Sequence, residues 1–573
     1  MGDGERGVGH RRTALAVVAA ALTLGTAQGV GPSAAVPAAA QTLAVVPATF
    51  LVGTAAVDIT PTTPVTMAAY GTYRVSTGVQ RGRPFMARSI AISAADGSMA
   101  HTVVLTQLDG QGYFVAYKED PVTDIGHFGS IGVRRQVAAD TGLDVEHVVI
   151  ASTHTHNSPD LVGVWGGGED TRNEAYLSVV REGTIRSIEK ALAARRPARL
   201  AVGVVDARRY LDTFGQVRGD PATYPVDRLL RVLQARDLSG HVVGTFVNFA
   251  AHGTVLGPEP VISPDWPGEV ATQLDARWGA GTSVVVPGGV GRTFPNFPDP
   301  HVGNDWERYL RIYGADVVAE VDAALARSRP VVDGAVGATG TQLTEVVTDP
   351  AAYPLLYSKT VLPGTLGGTM RSNLPPYVIG PTISSDLNAL RVGDLFISGS
   401  PGEAYPEVSV ELERRVHGAS VCGDTFHAFS LSLVNDQVGY TTTTDEYALA
   451  LAYGGDEGLF APNPVFGNDV INTQLANARA LGLTTDADYN GVTAGPLAPP
   501  PNNDNPAPPL ADTAGPAPLC PATAGGTPAT GSQAGATPGL ANTAAAMPLP
   551  AAGGVAMALF LGVARLRRRR AAR

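Results

Sequence analysis

HVVIASTHTHNSPD occupies residues 147–160. Its first half, HVVIAST, is a run of β-branched and small residues of strand length. Its second half turns polar and carries two histidines, His154 and His156, one residue apart. On an extended segment, residues i and i+2 project to the same side, so both rings face one place just beyond a strand. Only eleven histidines occur in 573 residues, so two at one strand end ask for a use. A metal ion, a catalytic pair and a polar strand edge meeting water all fit that spacing.

Outward from this stretch the chain alternates short β-rich runs with amphipathic helices. HTVVLTQL (101–108) predicts a strand, GSIGVRRQVAADTG (129–142) a helix, and HVVIAST the next strand. A further helix follows, with Leu177, Val180, Ile188 and Leu192 on one face. RLAVGVVDA (199–207), VVGTFVNFA (242–250), DLFISGS (394–400) and FHAFSLSLV (426–434) read as strands, and residues 305–328 as a long helix. The pattern is that of an α/β domain with at least one large sheet.

Several of these strands end in chemistry-bearing residues. His154 and His156 follow the first, His252 follows VVGTFVNFA, and Glu403 follows DLFISGS in a PGE turn that opens a helix over EAYPEVSVELERRV. Asn435, Asp436 and Tyr440 follow FHAFSLSLV. Ligands of open α/β sheets bind beyond the carboxyl ends of strands, and a zinc site needs three or four N/O donors with one position left open. Each residue also has an ordinary reading: a hydrogen-bonded histidine, a first-turn acid at a helix N-terminus, a strand aromatic. The coincidence of four strand ends favours a site.

The rest of the chain bounds what such a site serves. A net charge of −11 argues against a nucleic-acid partner. Residues 1–40 read as an export segment, with Arg11 and Arg12 ahead of the apolar ALAVVAAALTLGTA (14–27). Residues 41–490 form the folded domain. Residues 491–545, rich in Pro, Ala, Gly and Thr, cannot bury enough apolar surface to fold and read as a solvated spacer. Residues 546–573 hold an apolar stretch, a degenerate sortase-like LPAAGG (549–554), and an Arg-rich tail. Together they predict an exported protein on the extracellular face, anchored to membrane or cell wall. The two cysteines, Cys422 and Cys520, lack metal-ligand spacing, and a disulfide between them is one option in an exported chain.

Taken in order, these residues resemble the neutral/alkaline non-lysosomal ceramidase family of zinc amidases. The resemblance runs from AAVDITPTTPVTMAAYG (55–71) through VVIASTHTHNSPD, where the family carries HTHSGP. It continues through YPVDRLLRVLQA (224–235), VVGTFVNFAAHGTVL (242–256) and ISPDWPGEVA (262–271). SPGEAYPEVSVELERR (400–415) and LVNDQVGYTTTTDEY (433–447) complete it. The resemblance implies an α/β fold, a large mixed-sheet sandwich flanked by helices, with a zinc site at strand C-terminal ends. It implies Zn2+ held by His154, His252, Glu403 and Tyr440, His156 on the substrate, and Tyr453 orienting the scissile amide. The implied reaction is hydrolysis of ceramide or a related N-acyl lipid to a fatty acid and an amine.

One segment departs. The family's GDVSPN-type segment aligns with GVGRTFPN (289–296), putting Phe294 where an active-site Ser is expected and Arg292 where the Asp is. Thr293 is the neighbouring hydroxyl. Two other readings therefore stand beside the amidase: a zinc hydrolase of a non-ceramide amide or ester, and a surface binding protein with a metal site and no turnover. An HxHxDH metal-hydrolase pattern would need Asp where Ser158 stands, and no G-x-S-x-G elbow is present.

Overall fold

The computed structural model describes residues 47–491 except 71–72, 118–126, 163–164, 166–172, 214–224, 297–304, 349–381, 418–427 and 453–459. The β-branched runs assemble into two sheets. The larger contains β1 (Phe50–Asp58), β3 (Met86–Ala94), β4 (Thr102–Leu108), β5 (Val148–Ser152), β6 (Arg196–Asp206), β8 (Leu229–Asp237), β9 (Val242–Phe249), β11 (Ser283–Pro287) and β13 (Arg329–Pro330). Their order is β11-β9-β8-β6-β1-β3-β4-β5, with β13 also on β6. The pairs β4/β5 and β9/β11 are parallel, and every other pair is antiparallel. The smaller sheet is β14 (Val336–Val346), β15 (Thr382–Val392), β16 (Leu395–Gly399) and β19 (Ala428–Leu431), in that order.

Side-chain parity shows how the layers stack. Val103 and Leu105 of β4 and Val149 of β5 join one core with Leu395 and Ile397 of β16 and Phe429 of β19. Their neighbours Val104, Val148, Ile150 and Phe396 face the other way, into a second core. The two sheets therefore pack face to face, with Phe246 and Phe429 meeting across the gap at 5.8 Å between ring centroids. Strands buried on both faces read as continuous apolar runs rather than alternating ones, which is how HVVIAST reads. Each fully buried Val, Leu or Phe contributes about 1.5–3 kcal/mol.

Helices cover the outer faces. On the larger sheet α1 (Ser130–Thr141) and α2 (Glu174–Ala193) cover one half, the latter through the expected Leu177, Val180, Ile188 and Leu192. The other half lies under α3 (Asp265–Trp278) and α4 (Trp306–Ala326). The smaller sheet is backed by α5 (Pro406–Arg415) and α7 (Phe466–Ala480), with α6 (Thr444–Ala452) between them in sequence. The α1 helix stops at Gly142, whose φ of 73° is the left-handed cap that glycine accepts readily. This is the α/β sandwich flanked by helices that the sequence led one to expect.

Short two-strand ladders tie the loops at one end: β2 (Gly78–Val79) with β10 (Val261–Ile262), β7 (Leu211–Thr213) with β12 (Thr293–Pro295), and β17 (Glu403–Ala404) with β20 (Tyr440–Thr441). A fourth, β18 (Val416–His417) with β21 (Thr484–Thr485), joins the C-terminal part. Two expectations change here. The PGE turn does not open a helix: Glu403 and Ala404 are extended and laddered to β20, and the helix begins at Pro406, whose fixed φ suits a first helical position. The last strand is also shorter than expected, because Leu433 (φ 57°) and Asn435 (φ 59°) turn the chain out of the sheet. Residues 1–46 and 492–573 lie outside the described residues, and with them the export segment, nearly all of the spacer and the anchor; so do Cys422, Cys520 and Tyr453. Among the described residues, no helix is long and apolar enough to cross a membrane.

Candidate metal centre

The carboxyl ends of β5, β9 and β16 lead to one place. After β5, Thr153 donates its N–H to the Leu108 carbonyl, and His154 then takes a left-handed φ of 57°. For a non-glycine residue that backbone is uncommon, and it persists only where the surroundings enforce it. The imidazole is buried, with Nδ1 2.8 Å from the Gln111 carbonyl oxygen. After β9, His252 is held at both ends of its residue. Its N–H donates to the Thr293 carbonyl, and its own carbonyl accepts from the Trp266 indole at 3.1 Å. The His252 Nδ1 lies 2.9 Å from the same Thr293 carbonyl oxygen. Beyond β16, Glu403 is placed by the β17/β20 ladder, which sets it opposite Tyr440 in register.

Carbonyl oxygens only accept, so each Nδ1 facing one carries the proton, and Nε2 is left as a lone pair. The His154 Nε2 lies 3.1 Å from His252 Nε2 and 3.1 Å from Glu403 Oε2, and the His252 Nε2 lies 3.5 Å from that oxygen. The His156 Nε2 is 3.4 Å from His154 Nε2. Glu403 Oε2 is buried without a hydrogen-bond partner, whereas Oε1 accepts from Gln437 Nε2 at 3.3 Å. Nitrogen lone pairs and a carboxylate oxygen converging this closely are held together either by a shared proton or by a cation between them. One ligand atom from each of His154, His156 and His252 lies within 4.8 Å of the others, close enough to share an ion. Imidazoles with a carboxylate suit a borderline-soft divalent ion such as zinc.

The electrostatics agree. Burial works against charge at Glu403, but His154 and His252 outweigh it and hold the carboxyl far below its usual range. Burial, reinforced by the neighbouring histidines, keeps His156 well below the usual imidazole value, and burial lowers His252 too. At His154 burial is overcome by the Glu403 carboxylate, so its pKa is raised: with no ion between them His154 tends to hold a proton against Glu403, and an ion binding there displaces it. An anionic Glu403 beside neutral His156 and His252 has the protonation that metal binding requires.

Of the remaining expected residues, Tyr453 lies outside the described residues, and Tyr440, Thr293 and His156 can be described. Tyr440 sits beside Glu403 in the ladder, with its ring 6.2 Å from that of Tyr405. Thr293 is at the site through its carbonyl, and its buried hydroxyl has no hydrogen-bond partner. His156 is the more exposed ring of the three and meets Tyr70 edge-on at 5.2 Å. Sequence reasoning had no use for Tyr70, Arg74 or Gln437. The Arg74 guanidinium stacks 4.7 Å over Tyr70 and donates to the His156 carbonyl at 3.0 Å. Tyr70 and Gln437 lie inside quoted segments, MAAYG and NDQVGY, and that was the available signal.

No family model matches the chain. The neutral ceramidase of Pseudomonas aeruginosa is 25% identical over 390 residues, covering 56% of this chain and 57% of that relative. The chain thus spans little more than half the length of the curated relative that it matches. The crystal structure of neutral ceramidase from Pseudomonas aeruginosa aligns with a TM-score of 0.58 at 19% identity, over 78% of this chain and 76% of that one. A ceramidase complexed with C2 aligns with a TM-score of 0.59 at 19% identity, over 78% and 77%. The chain is similar to neutral ceramidase, in part of its sequence and in its fold.

Within that neutral-ceramidase frame the GVGRTFPN departure takes a physical form. The Phe294 ring stacks on His252, centroids 4.4 Å apart and planes 12° from parallel. Arg292, at a φ of 63°, is buried, ion-paired to Glu407 at 2.5 Å and hydrogen-bonded to Glu446, with its guanidinium 4.9 Å over Tyr405. An apolar ring thus flanks the His252 imidazole, while a buried Arg–Glu cluster fixes the loop that carries it.

Proposed function

We propose that the chain is a zinc-dependent amidohydrolase acting on ceramide or a related N-acyl lipid. The observation that carries this reading is the meeting of tautomer-locked His154 and His252 with the unpartnered Glu403 Oε2 in a chain similar to neutral ceramidase. His154, His252, Glu403 and Tyr440 would hold the ion. When bound, it supplies Lewis acidity and brings the pKa of a coordinated water to about 7. His156, neutral and partly buried, keeps one N–H to give the amide carbonyl oxygen as negative charge develops there. Tyr453 would orient the scissile amide. The Thr293 carbonyl holds the His252 ring by accepting from Nδ1, which keeps its Nε2 aimed at the centre. Cleaving a ceramide this way gives a fatty acid and a sphingoid base.

The Phe294 ring over His252 favours a second reading, hydrolysis of another amide or ester whose acyl group packs on that ring. A binding protein without turnover is the third. The deciding experiment is fatty-acid release from a short-chain fluorescent ceramide by the full chain, with and without a zinc chelator, alongside zinc content of single variants. Chelator-sensitive release supports the amidase. His154→Ala and His252→Ala should lose zinc and activity, whereas His156→Ala should keep zinc and lose activity. Zinc-loaded protein that releases nothing would retire ceramide. We also propose that the chain is exported and held at the envelope by residues 546–573; equal release of the full chain and a chain ending at residue 490 would refute the tether.

A further inference from the structure

Arg292 lies on the loop that leaves β11, a strand of the larger sheet. The next residue is Thr293, whose carbonyl accepts from the N–H of His252 and faces its Nδ1 at 2.9 Å. The Arg292 side chain reaches away from that sheet, to the segments that carry the other two expected ligands. Its Nη2 lies 2.5 Å from Glu407 Oε1, in the first turn of α5 and four residues after Glu403. Its Nη1 donates to Glu446, in the first turn of α6 and six residues after Tyr440. The guanidinium plane rests 4.9 Å over the Tyr405 ring, and Nη2 also donates to the Pro225 carbonyl at 3.4 Å. The backbone repeats the link, because the Gly291 N–H donates to the Ala404 carbonyl at 2.9 Å. One side chain thus joins the brace of His252 to the segments of Glu403 and Tyr440.

An internal ion pair that merely holds the fold together is the ordinary reading of such a cluster. Arg292, Glu407 and Glu446 are all buried, and taking charges out of water costs most of what their attraction returns. Apolar side chains of similar volume would fill the same space about as stably. What the guanidinium adds is direction, since its planar fork fixes the angle as well as the distance to each acceptor. The left-handed φ of Arg292, uncommon for a residue with a Cβ, persists only where the surroundings enforce it. We infer that Arg292 is a positioning residue for the metal centre. By pinning the Thr293 loop to α5 and α6, it sets where His252 Nε2 stands relative to Glu403 and Tyr440 before an ion arrives. This rests on the ligand set proposed above.

In the full chain, zinc affinity is measured by competition with a chromophoric chelator, and site geometry by the visible spectrum of the cobalt(II) form. Arg292→Met leaves Glu407 buried without its cation and should lower both the urea midpoint and zinc affinity. Arg292→Met/Glu407→Met removes both charges, so its urea midpoint should return toward the parent's. Zinc affinity should not return with it: it should stay at least about tenfold below the parent's, with an altered cobalt spectrum. Arg292→Lys keeps the charge without the fork, and it too should bind zinc at least about tenfold more weakly. Glu446→Gln, whose amide oxygen still accepts from Nη1, should bind zinc as the parent does. Ring-nitrogen NMR of the metal-free chain separates this inference from the ligand assignment. The His252 signal, identified by its loss in His252→Ala, should show one Nδ1–H tautomer in the parent and a mixture in the double variant. That difference in a parent that binds neither ion would sink the ligand assignment and leave the hold of Arg292 on His252 standing. The inference is overturned if zinc affinity recovers with the urea midpoint in the double variant, if Arg292→Lys binds zinc like the parent, or if the His252 tautomer is the same in both chains.

Discussion

At His154 and His252 the decisive contact is on the side of the ring that faces away from the centre. The Gln111 and Thr293 carbonyls each fix a tautomer, and neither was legible in the sequence, because a backbone acceptor 43 or 41 residues away leaves no pattern in side-chain identity. The histidine pair itself was legible, since a β-branched run ending in HTH has few structural uses. Phe294 offers no donor atom, so Phe294→Ala should leave zinc content unchanged. The same change should shift KM more than kcat, as measured by steady-state kinetics across acyl chain lengths. Asp265 makes a different prediction. It accepts from the N–H groups of Val255, Leu256 and Trp266, yet burial pushes its carboxyl from 3.8 up to about 6. The folded state therefore holds a proton that the unfolded chain has released. Its contribution is fully present below about pH 4, is lost between about pH 4 and 6, and is level above. Asp265→Asn should flatten that slope in urea midpoints, and should cost about 1–3 kcal/mol at pH 7 because an amide nitrogen cannot accept from Leu256.

Among elements, long apolar runs and amphipathic helices were readable, and the two-residue ladders were not. The stretch after DLFISGS looks helical because EVSVELERR has helical spacing; its first residues are extended because Glu403 and Ala404 find ladder partners in Tyr440 and Thr441. Gly402 makes that ladder possible, since a Cβ there would run into the Gly439 carbonyl oxygen. Gly402→Ala should therefore lower zinc affinity as well as stability, by about 2 kcal/mol or more in denaturant unfolding. The β12 loop is held instead by charge. Burial and the neighbouring Glu407 push the Glu446 carboxyl up, so Arg292 and Glu407 form the charged pair and Glu446 keeps its proton at neutral pH. Arg292→Met would strand a buried carboxylate and should cost about 3–5 kcal/mol. Glu446→Gln, replacing an acid already neutral, should stay within about 1 kcal/mol by the same urea titration.

For the whole molecule, the sequence supplied the layer class, and the pairing order stayed hidden. Strands such as β14 and β15, eleven residues each and largely polar along β14, gave no apolar run to notice. Their burial depends on which sheet faces them, and that is settled only when both sheets exist. The stacking has a consequence for the site. His154 and His252 are carried by the larger sheet, whereas Glu403 and Tyr440 follow strands of the smaller one. An ion held by all four is a rivet through two plates. Its affinity then reports how well the plates meet, so Phe429→Ala, deep in the shared core and outside the site, should weaken zinc binding along with stability. Free zinc at 1,000 times its Kd would tighten the closed sandwich by about 4 kcal/mol. A chain starved of zinc would then loosen along the seam between its sheets, and the core would sense the metal supply before any substrate arrived.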